Sequence, residues 1–330
     1  MFLINVASCV NGQMRVTELS STCLSNSRFE RVLRSGKFAI TVESKPPDSA
    51  NPEEVYSAVL PMSEVADAIN ASDAPGANSH MSSAAISAIL EEAGYSAIYQ
   101  ISCRDRNRIA IQGDVLGAAA LGVKNILCLT GDSVGIGDQP NAKPVFDLDS
   151  ISLLKMLKNM RDNGKFLSGR NIKHTPKIFI GAVENPCAPP YDLRAVRVKK
   201  KIEAGADFIQ TNYIFDLPRF ETFMEKLRED NLHKKAFIIA GVGSLASAKA
   251  ACWMRTNIPG IYIPDHIIHR LEKADDQGAE AVNICVELVQ KIREIEGVSG
   301  IHLMAHNREH TIPAIIKRSE ILYKRQIKSF

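Results

Sequence analysis

The sequence predicts an α/β protein: a (β/α)8 TIM barrel in a single domain, with a short N-terminal extension. Three observations carry that prediction. Short apolar runs alternate with helical patterns along the chain, which is the pattern of βαβ units and a parallel sheet. Eight such runs can be counted, the number of strands in a closed barrel. No composition break splits the 330 residues into halves, and the phosphate-binding G-x-G-x-x-G of the rival open sheet is missing after the first run, where Glu43-Ser-Lys-Pro-Pro47 stands instead. Residues 1–30 read as the extension and 31–330 as the barrel.

In order, Phe38-Ala-Ile-Thr-Val-Glu43 is the first strand, and a helix starts after Asn51-Pro52 with acids in its first turn. Residues 65–71 make the second strand and 82–93 a helix stopped by Gly94. Residues 96–102 make the third, followed by a helix over 108–121. The fourth strand, 125–130, lies in Val123-Lys-Asn-Ile-Leu-Cys-Leu-Thr-Gly-Asp132; its unbroken apolar run predicts cover on both faces. A loop over 131–147 leads to a helix over 149–163. Strands at 177–183, 207–212, 236–242 and 300–305 follow, with helices at 191–204, 217–230, within 246–296 and at 311–322.

Composition is that of an ordinary globular protein, 45% hydrophobic and 23% charged. A net charge of +3 gives no case for nucleic acid or a membrane surface as partner. The seven cysteines include no C-x-x-C pair, so buried thiols in a reducing cytoplasm are expected, with no metal site. Met1–Val10 lacks the basic start and long apolar stretch of a signal peptide.

Catalytic groups of such barrels sit at the C-terminal strand ends. This chain puts there Glu43, then Ser72 and Asp73, Gln100 and Ser102, Thr130 and Asp132, Asn185, Gln210 and Asn212, and finally His306, Asn307 and Arg308. Two carboxylates from different strands facing one mouth can divide acid and anion roles between them. Arg104-Asp-Arg-Asn-Arg108 and the basic Arg197–Lys201 segment read as solvated charge clusters.

Taken together, Thr41-Val-Glu-Ser-Lys-Pro-Pro47, Arg104–Arg108, Leu129-Thr-Gly-Asp132, Lys143-Pro-Val-Phe-Asp147, Glu184-Asn-Pro186, Lys201-Ile-Glu-Ala-Gly-Ala-Asp207, Thr211-Asn-Tyr213 and Asn307-Arg308 resemble the methylenetetrahydrofolate reductase family, in its bacterial form with the catalytic barrel only. The resemblance covers about residues 28–322. It implies reduction of 5,10-methylenetetrahydrofolate to 5-methyltetrahydrofolate by reduced FAD, with Glu43 as general acid and Asp132 as the second catalytic carboxylate, against the pterin. It assigns FAD to Ser72, Gln100, Thr130, Gly131, Asp132, Asp147, Asn185, Arg197 and Lys201, and folate to Asp132, Asn212 and Arg308. It implies NAD(P)H or a protein electron donor, and a homo-oligomer or a subunit of a redox complex. The chain departs from the family pattern in three places. Thr130 stands where an arginine is common. Asn212 replaces a glutamine, with Gln210 expected on the opposite side of the strand. Ala250 replaces a second glutamine.

Overall fold

The computed structural model describes residues 23–258, 260–305 and 308–322. Eight parallel strands close a barrel in chain order: β1 (Ala39–Ser44), β2 (Ala68–Ala71), β3 (Ala97–Ser102), β4 (Asn125–Leu129), β5 (Phe179–Glu184), β6 (Phe208–Tyr213), β7 (Phe237–Gly243) and β8 (Val298–Met304), with β8 returning to β1. The α-helices among the described residues are α1 (Arg28–Arg34), α2 (Pro52–Val59), α3 (Ser83–Glu92), α4 (Arg108–Ala120), α5 (Ser150–Asp162), α6 (Leu193–Ala204), α7 (Leu217–Glu229), α8 (Ala248–Asn257), α9 (Asp265–Glu272), α10 (Gln277–Glu294) and α11 (Ile312–Arg318), joined by short 3-10 turns. Local chemistry sets their starts. Asn51 and Asn107 cap α2 and α4 by accepting from first-turn amides, and Pro52 opens α2.

Two boundaries differ from the sequence reading. Strand β2 begins at Ala68 rather than 65, because Leu60–Met62 forms a short 3-10 turn and Asp67 is used as a cap, its carboxylate accepting the Ile40 amide at 2.9 Å. Helix α11 stops at Arg318 rather than 322, and the chain reverses through Glu320 at φ 57°. Helix α1 spans the expected extension boundary at residue 30, and residues 1–22 lie outside the described residues.

The barrel interior is graded. Its floor is apolar: Phe29 of α1 packs edge-on to Phe208 at 5.3 Å, and Phe208 stacks on Phe179 at 5.2 Å. Gly181 makes that stack fit, since a Cβ there would lie 2.1 Å from the Phe208 ring. Above the floor, alternate residues turn polar because they share one strand face. The series Ala39-Thr41-Glu43, Ala68-Asn70-Ser72, Ile98-Gln100-Ser102 and Phe208-Gln210-Asn212 climb from floor to mouth. Asn70 donates to Gln210 across the interior at 3.1 Å, from β2 to β6 on opposite sides of the ring. Gln210 therefore faces inward, which corrects the expectation that it turns away from Asn212; residues two apart on a strand point the same way.

The floor is held by Glu30, whose carboxylate is fully buried and accepts the Leu24, Ser25 and Asn26 amides, the Ser25 hydroxyl and Arg34 Nε, all within 3.0 Å. Burial alone raises its pKa, but these donors outweigh burial and hold it below the usual 4.5. A depressed carboxylate pKa gives stability that is present above the unfolded value and lost as pH falls through the folded one. Glu30→Gln is therefore expected to cost about 1–3 kcal/mol at neutral pH, with the difference from wild type shrinking as pH drops below 4.5. Denaturant melts at several pH values check this; a pH-independent gap would remove the carboxylate from the explanation.

Candidate active site

The mouth carries two chemically distinct halves. On the β1–β2–β8 side, Glu43 is the last inward residue of β1, with its side chain 29% exposed. Ser72 Oγ donates to Glu43 Oε1 at 2.5 Å, and Nε2 of the fully buried His302 lies 3.6 Å from Oε2. Tyr213 of β6 is close enough for Glu43 to act on it; burial first, and then that charge, hold its phenol proton well above the usual range.

On the β3–β4–β5 side is a cavity of about 350 Å³, lined by Gln100, Ser102, Arg104, Thr130, Gly131, Asp132, Ser150, Val183, Arg197 and Lys201 among others. The short turn after β4 shapes it. Gly131 sits at φ 99°, where an added Cβ would lie 2.8 Å from Arg104 Cβ, so the backbone lies against β3 only as glycine. Thr130 Oγ1 accepts the Ser150 amide at 3.1 Å and so ties this turn to α5. Ser102 Oγ, buried at the cavity edge, has no hydrogen-bond partner among the described residues. A buried hydroxyl is ordinarily satisfied, so an unpartnered one on a cavity wall suits a polar ligand.

The cavity's outer wall is cationic. Glu184, 2% exposed, takes Lys201 Nζ at 2.7 Å, Arg194 at 3.0 Å and Arg197 at 3.6 Å. Burial pulls the Lys201 pKa down, opposed by Glu184. Three cations share one carboxylate, so surplus positive charge faces the cavity through the half-exposed Arg197. The Arg104–Arg108 segment is only in part the solvated cluster expected from sequence: Asp105, Asn107 and Arg108 are exposed, whereas Arg104 and Arg106 turn inward. Arg104 is 3% exposed and pairs with Asp105, while Arg106 clamps Asp73 through two bonds of 2.8 and 3.2 Å and reaches Asp114. Asp73 also accepts the Ser102 amide at 2.8 Å, so this network builds the cavity wall instead of meeting water.

Of the nine residues expected at the flavin, Gln100, Thr130, Gly131, Asp132, Arg197 and Lys201 line the cavity. The other three hold the frame. Ser72 serves Glu43. Asp147 pairs with Arg108 at 2.7 Å, which drops its pKa to about 2. Asn185 donates to Gly260 O and accepts the Cys187 amide, each at 3.0 Å. Asn212 bends its amide oxygen back to the Tyr213 N–H at 2.7 Å, beside a register shift in β6. Arg308 donates to Leu245 O at 3.0 Å and so bridges the chain after β8 to the loop after β7. Ala250 lies in the first turn of α8, its amide capped by Ser247. His306 and Asn307 fall outside the described residues. Sequence reasoning missed His302, Glu184 as hub of the cations, and the Asp73 clamp. The available signals were an imidazole at an inward position of an apolar strand for His302 and a carboxylate at or just after the end of one for Glu184 and Asp73.

Residues 28–320 match the family model described as methylenetetrahydrofolate reductase. This chain belongs to the methylenetetrahydrofolate reductase family. A Caenorhabditis elegans protein named probable methylenetetrahydrofolate reductase (NADPH) is 26% identical over 245 residues, covering 72% of this chain and 34% of that protein. Methylenetetrahydrofolate reductase 2 of Saccharomyces cerevisiae is 27% identical over 260 residues, covering 75% of this chain and 40% of that protein. The family member described here thus spans well under half of these eukaryotic relatives. The 5,10-methylenetetrahydrofolate reductase of Pectobacterium carotovorum is 23% identical, with 85% of this chain and 89% of that protein covered. Among solved structures, a Clostridium thermocellum protein that binds two copies of 5-methyl-5,6,7,8-tetrahydrofolic acid shares the fold, with TM-score 0.61, 15% identity, and 89% and 98% of the two chains covered. No helix among the described residues is long and apolar enough to cross a membrane.

Proposed function

We propose that this family member reduces 5,10-methylenetetrahydrofolate to 5-methyltetrahydrofolate, with FAD in the β3–β5 cavity and Glu43 as the proton donor. The observation that carries the reading is the division of the mouth. A carboxyl held by Ser72 stands on the β1 side, and a cationic, partly unsatisfied cavity stands on the β3–β5 side, three strands away around the ring. The cavity chemistry suits a flavin dinucleotide. Ser102 Oγ offers an unused hydrogen bond, Gln100 a side-chain amide, and Arg197 a cation for a diphosphate. Lys201 supports that wall through Glu184. Reduced FAD bound there supplies the hydride to the one-carbon unit.

The chain's own groups act on the folate. Glu43 gives its proton to N10 as the C–N10 bond breaks and its electron pair goes to N10, which leaves an N5 iminium to receive the hydride. The partial exposure of Glu43 lets solvent return the proton. Asp132, exposed at the cavity edge, pairs with N–H groups of the pterin ring. The Asn212 amide and the Arg308 guanidinium, both occupied by backbone here, complete the folate site from β6 and beyond β8. The donor is NAD(P)H or a redox protein, and the free described cysteines fit a reducing cytoplasm.

The test is a visible spectrum of the purified protein before and after anaerobic addition of 5-methyltetrahydrofolate. A flavin spectrum that bleaches is the expected result. Flavin that ignores the folate overturns the substrate assignment, and protein that carries and takes up no flavin overturns the cofactor.

A further inference from the structure

We propose that Arg104 holds the N1–C2=O edge of the flavin ring and supplies the cation that Thr130 leaves out. The inference rests on the reading of the β3–β5 cavity as the FAD site and adds a ring contact to it. Thr130 stands where an arginine is common in the family, and its hydroxyl is taken by the Ser150 amide at 3.1 Å. The turn after β4 therefore brings no cation of its own to the cavity. Arg104, just past the end of β3, lines the same cavity with a side chain only 3% exposed. Its guanidinium is pinned. Nε and Nη2 donate to the two Asp105 carboxylate oxygens at 2.8 and 2.7 Å, and Nη2 also donates to Ala74 O at 3.3 Å. Those bonds occupy three of the five N–H groups. Nη1 makes no hydrogen bond among the described residues, so its N–H pair is the edge left for a ligand in the cavity.

The surrounding charges leave that edge cationic. Asp105 is 42% exposed, so water screens its carboxylate, whereas the guanidinium it holds is nearly sealed from solvent. Asp73 is clamped by Arg106. The Asp105 bond first, against burial, and then the charges of Asp105, Asp73 and Asp132 hold the Arg104 pKa above its usual value. Arg104 thus lies within electrostatic reach of Asp132, the residue set against the pterin. That proximity decides which part of the cofactor it meets. A flavin ring that gives hydride to the one-carbon unit belongs on the pterin side, by Asp132, while the half-exposed Arg197 takes the diphosphate at the outer wall. A planar fork with a free N–H pair suits the adjacent nitrogen and oxygen of the N1–C2=O edge. Two-electron reduction places negative charge on that edge. A fixed cation beside it binds the reduced ring more tightly than the oxidised one, which raises the midpoint potential.

The test is the midpoint potential of the FAD-loaded protein, read by equilibration with reference dyes, beside FAD affinity read by fluorescence. In Arg104→Met, oxidised FAD is expected to bind close to wild type and reduced FAD about tenfold less tightly, the worth of one charge-assisted hydrogen bond. For a two-electron couple that is a fall of about 30 mV. Arg104→Lys returns the charge without the fork and is expected to recover most of the fall. Equal weakening of both forms, with the potential unmoved, marks a diphosphate or wall contact and overturns the proposal. If Arg104→Met does not fold or loads no FAD, Asp105→Asn decides. That position is exposed, and the amide oxygen still accepts from the guanidinium, so Arg104 stays in place without its counter-charge. The potential is then expected to rise, the opposite direction, and an unmoved or lower potential overturns the proposal. Wild-type protein that takes up no FAD defeats the cofactor reading itself; loaded wild type with unmoved variants defeats only the role of Arg104.

Discussion

Glu43→Gln is expected to slow the folate half-reaction by about 10²- to 10⁴-fold, the usual worth of a positioned general acid. The substitution keeps the shape of the site. A glutamine Oε1 still accepts from Ser72 Oγ, now 2.5 Å from the carboxylate, so the side chain stays at the β1 exit. The amide, however, has no proton to give to N10. Reduction of the flavin by the electron donor does not use that proton and is expected to continue near the wild-type rate. Stopped-flow measurement of the two half-reactions separates these outcomes. Equal losses in both would show that Glu43 acts on the flavin or on the fold instead.

Glu184→Gln carries the largest expected effect on stability, about 3–5 kcal/mol, because it removes the counter-ion of a buried lysine. Lys201 is 4% exposed and Glu184 2%, so neither charge can turn to water. Lys201→Met is expected to cost much less. The carboxylate keeps Arg194 at 3.0 Å, and a thioether chain fills the vacated space. Denaturant unfolding of the two variants gives the order directly. A Glu184→Gln variant within about 1 kcal/mol of wild type would mean that the cations are satisfied elsewhere. The same pair of variants separates two roles of Lys201. Weaker flavin affinity in a stable Lys201→Met protein marks a direct ligand contact; unchanged affinity marks a wall-building ion pair.

Much of this architecture is legible in particular residues. The run Asn125-Ile-Leu-Cys-Leu129 announces a strand covered on both faces, and all of it but Leu129 is buried. Glu43 and Asp132 were identifiable because a carboxylate at the end of an apolar strand needs a reason to be there. The turn after β4 was identifiable because Gly-Asp is a turn dipeptide, and Gly131 does adopt the positive φ that only glycine takes easily. The partners of Arg106 were not legible. Asp73 lies 33 positions away and meets it only because β2 and β3 are adjacent in the ring. Exposure failed for the same reason. Charges spaced closely in sequence look solvated until the neighbouring strand end turns out to carry the opposite charge.

By itself the sequence determined the alternation of strands and helices, the strand count, and the list of polar groups at strand ends. Those are local properties, set by hydrophobic period, turn residues and caps. Tertiary structure alone decided which strand-end groups meet. Closure of the ring brought His302 of β8 against Thr41 and Glu43 of β1, from opposite ends of the barrel sequence. It also turned Asp147, Asn185 and Arg308 into frame contacts and gathered Gln100, Thr130 and Lys201 around one cavity. The physical reason is range. Hydrophobic period is written within a few residues, whereas a hydrogen bond acts over about 3 Å and depends on where the whole chain places its two ends.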